Sequence, residues 1–225
     1  MNISLTVANE PLILFSDKAA LWRDTLLLAD AHFGKAATFR RAGIPIPAGT
    51  TEMDLARISR LLAETGARRL FFLGDFAHEG GAMESGTLDQ LAQWRKTAAP
   101  IEMTLIAGNH DRRIDSVCRH LSMRTVAQVA DGPFLFTHLP PENRQRSKAY
   151  VVAGHIHPAV RMVGEGGDRL RAACFWFTPG YGVLPAFGSF TGLHDVTPQA
   201  EDAVIVVGDS ALVKIQGGNP GWGGL

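Results

Sequence analysis

Several things are scarce in this chain, and each scarcity excludes a class. Of its 225 residues only Cys118 and Cys174 are cysteine, far apart in sequence. Two isolated thiols do not make a disulfide scaffold. They read as free, partly buried groups suited to a reducing compartment. Net charge is also missing. Lys+Arg and Asp+Glu stand at 22 each, so there is no basic signature of a protein that grips nucleic acid through bulk charge. A local basic patch is not excluded. No apolar run approaches membrane-spanning length. Met1 to Ala8 has no positive region followed by an apolar stretch, so it does not read as a leader. The expectation is a cytoplasmic protein without a membrane partner. There is no internal repeat and no linker, so we expect one domain over 1–216. Gly217 to Gly224 opens a glycine-rich, flexible tail over 217–225.

What is present is a repeated event. Apolar runs stop abruptly at polar residues of metal-binding type. Met103 to Ala107 reads as a buried strand, followed by Gly108 and then Asn109, His110 and Asp111. Leu26 to Ala29 ends at Asp30-Ala-His32, and Leu70 to Leu73 at Gly74-Asp75. Phe134 to Thr137 ends at His138, and Tyr150 to Ala153 at Gly154-His155-Ile-His157. Polar groups at the end of an apolar strand are costly unless they find partners. A lone histidine after a strand is ordinarily a satisfied surface or core residue, and a lone Gly-Asp is ordinarily a turn. Five such endings together are not explained as turns, because ligands at the carboxyl ends of sheet strands converge on one rim.

The residue types point to chemistry. Two neighbouring divalent cations can clamp the attacking and leaving oxygens of a phosphoryl transfer. Such a pair needs a carboxylate between its members and mixed nitrogen and oxygen ligands, which suit Mn, Fe or Zn. Asp-x-His and His-x-His in extended chain put both side chains on one face.

The rest of the chain is read from its patterning. Ile3 to Val7 is an edge strand. Pro11 interrupts before a strand over Leu12 to Phe15. Phe33 to Pro47 is a loop, since Pro45 and Pro47 argue against helix. Thr50 to Glu64 is a helix with Thr50 or Thr51 as its cap and Gly66 as its stop. Gly80 and Gly81 make a turn, and Met83 to Thr97 is a second helix. Arg112 to Leu121 is a short helix, and Arg124 to Val129 is one strand. Thr178 to Gly192 is irregular. Val204 to Val207 and Ala211 to Ile215 form a hairpin across Gly208-Asp209. Strand and helix alternate first and strands follow, giving an α/β fold of two packed sheets with helices outside.

The motif order Asp-x-His, Gly-Asp, Gly-Asn-His-Asp, His, Gly-His-x-His resembles the calcineurin-like metallophosphoesterase superfamily. More narrowly, Leu28-Ala-Asp-Ala-His-Phe-Gly-Lys35, Gly43-Ile-Pro-Ile-Pro47 and Leu184-Pro-Ala-Phe-Gly-Ser-Phe-Thr-Gly192 resemble the bacterial ligase-associated DNA damage response phosphoesterases. The resemblance implies a two-sheet α-β-β-α sandwich. It also implies one metal on Asp30, His32, Asp75 and His157, and a second on Asp75, Asn109, His138 and His155, bridged by Asp75. It implies that His110 contacts the substrate phosphate and protonates the leaving oxygen; an imidazolium held by the adjacent Asp111 would have the right charge for that, the alternative being that His110 only orders the loop. The implied activity is Mn-dependent phosphodiester cleavage, with DNA endonuclease action in repair, and an ATP-dependent DNA ligase and a helicase as partners. Lys35, Arg40, Arg41 and Arg112 flank the motifs and are candidate contacts to a phosphate backbone, though each also reads as an ordinary solvated residue. Phe33 and Phe39 are candidates to stack on a base and equally candidates for the core. Two rival readings are a hydrolase of a small phosphodiester or phosphomonoester, and an idle interaction scaffold on the same fold.

Overall fold

The computed structural model describes residues 1–217 apart from 48, 79–82, 84, 112–113, 145–147 and 164–166. The first half contains β1 (Asn2–Val7), β2 (Glu10–Phe15), β3 (Ala19–Trp22), β4 (Thr25–Leu28), α1 (Lys35–Arg41), α2 (Thr50–Thr65), β5 (Arg69–Phe72), α3 (Ser85–Thr97), β6 (Glu102–Ile106), α4 (Asp115–His120) and β7 (Arg124–Val126). Its seven strands form one sheet in sequence order. β1 to β4 pair antiparallel, and β4 to β7 pair parallel with helical crossovers between them. The second half is β8 (Val129–Asp131), β9 (Phe134–Phe136), β10 (Tyr150–Ala153), β11 (Pro158–Val163), β12 (Arg169–Phe177), β13 (Tyr181–Val183), β14 (His194–Asp195), β15 (Ala203–Val207) and β16 (Leu212–Gly217). These make a second sheet in which β9, β10 and β13 run parallel.

The sheets stack face to face. Leu27, Phe71 and Ile106 from the first meet Phe136, Val152, Phe175 and Ile205 from the second. The first sheet's other face, with Leu28, Leu70, Phe72 and Leu105, is covered by Leu55, Ile58 and Leu61 of α2, Leu91 and Trp94 of α3 and Val117 of α4. The α/β sandwich is as expected, and it is asymmetric. Among the described residues every helix precedes β7. On the second sheet's outer face, Trp176 belongs to an apolar cluster with Cys174, Val183 and Val206. A polar clasp closes over it. Buried Asp202 accepts from Trp176 Nε1 at 2.8 Å and pairs with Arg144, whose guanidinium lies over the Trp176 ring.

Local differences from the sequence reading have simple causes. β2 runs through Pro11, which pairs with Thr6 beside a turn at Ala8-Asn9, both at positive φ. Pairing of β2 with β3 starts only at Ile13, so the missing N–H costs no ladder bond. Lys35–Arg41 is helical because Pro45 and Pro47 lie beyond its end and do not constrain it. Thr50 is already inside α2, and the cap position is Gly49, with no side-chain cap; Gly66 does end the helix. Arg124 to Val129 divides between β7 and β8, which belong to different sheets. The stretch 178–192 contains β13, a central strand only three residues long. Gly80, Gly81 and the tail from 218 lie outside the described residues.

Candidate metal centre

The five strand ends meet. β4, β5 and β6 of the first sheet and β9 and β10 of the second deliver their carboxyl ends to one rim. The chain after β4 stays tied to the chain after β5: Asp30 N donates to Gly74 O, His32 N to Asp75 O and Phe33 N to Phe76 O. Asp30 reaches the second sheet, its Oδ2 accepting from His155 N at 2.8 Å. Gly154 permits this approach. A Cβ there would lie 2.7 Å from Asp30 Oδ2 and 2.8 Å from both Ala29 Cβ and Leu73 O. At Gly74 a Cβ would overlap the His138 ring. Glycine before the ligand-type residue is thus a steric requirement.

Two clusters result. Asp30, His32 and His157 form one, and Asp75, His138 and His155 the other; in each, the candidate ligand atoms lie within 4.8 Å of one another. Backbone carbonyls fix the histidine tautomers. His138 Nδ1 lies 3.0 Å from Leu73 O and His157 Nδ1 lies 3.2 Å from Gly192 O. A carbonyl only accepts, so each ring donates from Nδ1, the tautomer that in a neutral imidazole leaves Nε2, turned inward, free to act as a ligand. His138 Nε2 then faces Asn109 Oδ1 at 2.9 Å, His155 Nδ1 at 3.1 Å and Asp75 Oδ1 at 3.5 Å. In the other cluster His157 Nε2 faces His32 Nε2 at 3.4 Å and Asp30 Oδ1 at 3.7 Å. Asp30 Oδ1 is buried without a hydrogen-bond partner. Converging lone pairs around a buried carboxylate oxygen are what a cation fits.

Asp75 faces both clusters. Its Oδ2 lies 3.8 Å from His32 Nε2 and its Oδ1 lies 3.5 Å from His138 Nε2. Oδ1 also accepts from His110 N at 3.0 Å. Burial works against a proton on two of the clustered rings. Burial first, then the charge of Lys35, pushes His32 down to about 2. Burial, then His138, lowers His155.

A calcineurin-like phosphoesterase family model matches residues 24–162. The chain belongs to the calcineurin-like phosphoesterase family. The crystal structure of the Pseudomonas putida nuclease MPE is similar at 35% identity and a TM-score of 0.80, covering 95% of this chain and 100% of that one. Two other solved structures are more distant: a protein of unknown function, AQ665, from Aquifex aeolicus (18% identity, TM-score 0.41, 59% of this chain and 78% of that one) and the phosphoesterase Yfce from E. coli (16%, 0.43, 85% and 97%). At those scores neither informs the function. No curated protein matches the chain in sequence. A family of phosphoesterases, together with two clusters fit for cations, makes this a dimetal phosphoesterase.

The remaining residues of this phosphoesterase divide into three groups. His110 belongs to the rim: its ring lies 5.6 Å from that of His32 and nearly parallel to that of His78, 6.2 Å away. Lys35 is half-buried at the start of α1; burial lowers its ammonium and nearby Asp75 opposes that. Asp111 departs from its expected part. It does not hold the His110 ring. Its Oδ1 accepts from Phe76 N and Ala77 N, and its Oδ2 from Gly108 N at 2.8 Å. It therefore pins the loop after β6 to the loop after β5. Arg40 and Arg41 are turned to their own neighbourhood, Arg40 donating to Pro47 O and Arg41 to Thr38 Oγ1. Arg112 lies outside the described residues. Phe33 is core, packed edge-on against Phe76, whereas Phe39 is half-buried.

Sequence reasoning missed what orients the ligands. The Leu73 and Gly192 carbonyls leave no mark in side-chain identity. Nor did Asp54, which accepts from Ser189 N and pairs with Arg57, while Arg57 Nη1 donates to Phe187 O. A buried Asp on the inner stripe of a predicted helix, with Arg three residues on, was the available signal.

Proposed function

We propose that this chain is a manganese-dependent phosphodiesterase that cuts DNA internally, in the service of repair. The observation that carries the dimetal reading is the Asp75 carboxylate, with one oxygen toward each cluster. In this reading Asp30, His32, Asp75 and His157 hold one cation, and Asp75, Asn109, His138 and His155 hold the other. Bound divalent cations supply Lewis acidity, activating water for attack and offsetting charge as the P–O bond breaks. Manganese suits the mixed imidazole and carboxylate set, which also accepts iron or zinc.

The protein's own groups do the rest. His110 donates to a phosphoryl oxygen and protonates the departing alkoxide, from a backbone held by the Asp75 carboxylate. Asp111 positions that loop through the three backbone N–H groups it accepts from. Lys35 adds a positive charge beside the substrate. DNA as substrate is supported by the likeness to a nuclease over 95% of the chain. Residues 1–216 act as one domain in the cytoplasm, with a ligase and a helicase as partners.

One observation favours a second reading. With Arg40 and Arg41 engaged by their own chain, Lys35 is the described cation beside the centre, which suits a small diester. A manganese-dependent assay over nitrophenyl mono- and diesters and over single-stranded, duplex and nicked DNA separates the two. Nicked or trimmed DNA supports the nuclease. Turnover of nitrophenyl diesters with every DNA intact replaces it with the small-substrate enzyme.

A further inference from the structure

We infer that Phe190, packed edge-on against Phe39, is a stacking shelf for a nucleobase next to the scissile phosphodiester; the inference rests on the proposed phosphodiesterase reading and names its substrate contact. Rings lead outward from the metal centre in an unbroken series. His32 lies 6.0 Å from His78, His78 is near-parallel to Phe39 at 21° and 6.3 Å, and Phe39 meets Phe190 edge-on at 5.6 Å. The series ends in solvent: Phe190 is 40% exposed. Phe190 also lines the same narrow crevice as His32 and Lys35, which places it beside the chain segment that carries the first cluster.

Phe190 is not needed to hold its own loop. That loop is fixed through its backbone. Phe187 N donates to Ala29 O at 2.7 Å, Gly188 N to Asp30 O, and Ser189 N to Asp54 Oδ2. Gly192 O receives His157 Nδ1, and Thr191 Oγ1 returns to Gly188 O. A Cβ on Gly188 would collide with Ala31 O, so the loop lies directly on the Asp30–His32 segment. A large aromatic exposed on a rigid loop fixed to the catalytic strand end is a preorganised contact. Every nucleobase offers a π-face, so such a shelf accepts any sequence and prefers unpaired strands.

The test compares oligothymidylate with an oligomer of equal length built from abasic tetrahydrofuran units, which keeps the backbone charge and removes the bases. Wild type should cut the thymidylate with a kcat/KM about tenfold higher or more. Phe190→Ala and Phe39→Ala should bring that ratio close to one, with the loss in KM, and Phe190→Trp should keep it. A ratio unchanged in both alanine variants overturns the shelf. If wild type cuts neither oligomer yet turns over methyl p-nitrophenyl phosphate, the nuclease reading has failed. The same ratio is then taken between thymidine 5′-(p-nitrophenyl phosphate) and the methyl ester, and its survival in Phe190→Ala overturns the shelf on that substrate.

Discussion

Asp75→Asn is the sharpest perturbation available. It removes one negative charge and almost no volume, and the amide oxygen can still accept from His110 N, which Asp75 Oδ1 does at 3.0 Å. The loop should therefore stay in place. What changes is the field between the clusters, since the carboxylate lies within 3.8 Å of His32 Nε2 and 3.5 Å of His138 Nε2. Two unit charges about 4 Å apart interact by about 4 kcal/mol at an effective dielectric of about 20. That is about a thousandfold in affinity, and the second cation, bound against the charge of the first, should feel it most. Metal-free Asp75→Asn should be no less stable than metal-free wild type, because a buried carboxylate has lost its charge. The assay is manganese titration by calorimetry with metal content by mass spectrometry, alongside turnover of bis-p-nitrophenyl phosphate. Two equivalents bound at wild-type affinity, with turnover intact, would refute the bridging assignment.

Four further outcomes are expected. His110→Ala should retain both cations while turnover falls about 10²- to 10⁴-fold, most for poor leaving groups; loss of metal on elemental analysis would make His110 a ligand instead. Gly154→Ala should weaken metal binding and cost about 1–3 kcal/mol of stability, because the new methyl meets Asp30 Oδ2 and the Leu73 carbonyl; an unchanged urea midpoint and metal affinity would contradict the packing described. Chelation should lower Tm by about 5–10 °C against protein held at one hundred times the metal Kd, and a scan showing no shift would mean the clusters do not bind. Burial pushes the Cys174 thiol from about 9 up to about 12. Since the unfolded chain gives up that proton first, the contribution to stability is whole below pH 9 and is lost as pH rises toward 12, by about 1.4 kcal/mol per unit. Urea midpoints of wild type and Cys174→Ala that keep a constant separation from pH 8 to 11 would refute it.

Much of the site was legible because its ligands are anchored to strands. The apolar runs before Asp30, Asp75 and His155 are buried on both sides and too short to be helices, so where each one stops is where its ligand sits. The irregular parts were not legible. Pro45 and Pro47 suggest loop for the whole of 33–47, yet they lie beyond the end of Lys35–Arg41 and do not bear on it. β13 hides among Pro, Gly and aromatic residues, since its pairing partners, β10 and β12, supply the pattern that its three residues are too few to display. Adjacency in sequence pairs Asp111 with His110, whereas its partners are backbone groups, Gly108 N close by and Phe76 N and Ala77 N about 35 positions away, and side-chain identity carries no information about those.

The strand ends are also where the backbone is strained. Among the described residues ten non-glycine residues have positive φ, and five of them are Asp30, His32, Asp75, His155 and His157, the ligand-type residues of the sequence motifs. Such conformations cost about 1–3 kcal/mol each and persist only where the surroundings over-determine them. Here they do. Leu73 N, Asp30 N, His32 N and Phe33 N stitch the two loops of the first sheet together beyond the last paired residues, and Asp30 Oδ2 ties the second sheet to them. The Asp-x-His and His-x-His pairs are therefore not the extended chain that the strand pattern leads one to expect; both members of each pair are left-handed, and Asp30 and His32 still meet in one cluster while His155 and His157 fall one in each. The folded chain therefore holds its lone pairs together against their own repulsion, with the sheets as the restraint, and a cation entering the rim finds its ligands already in place.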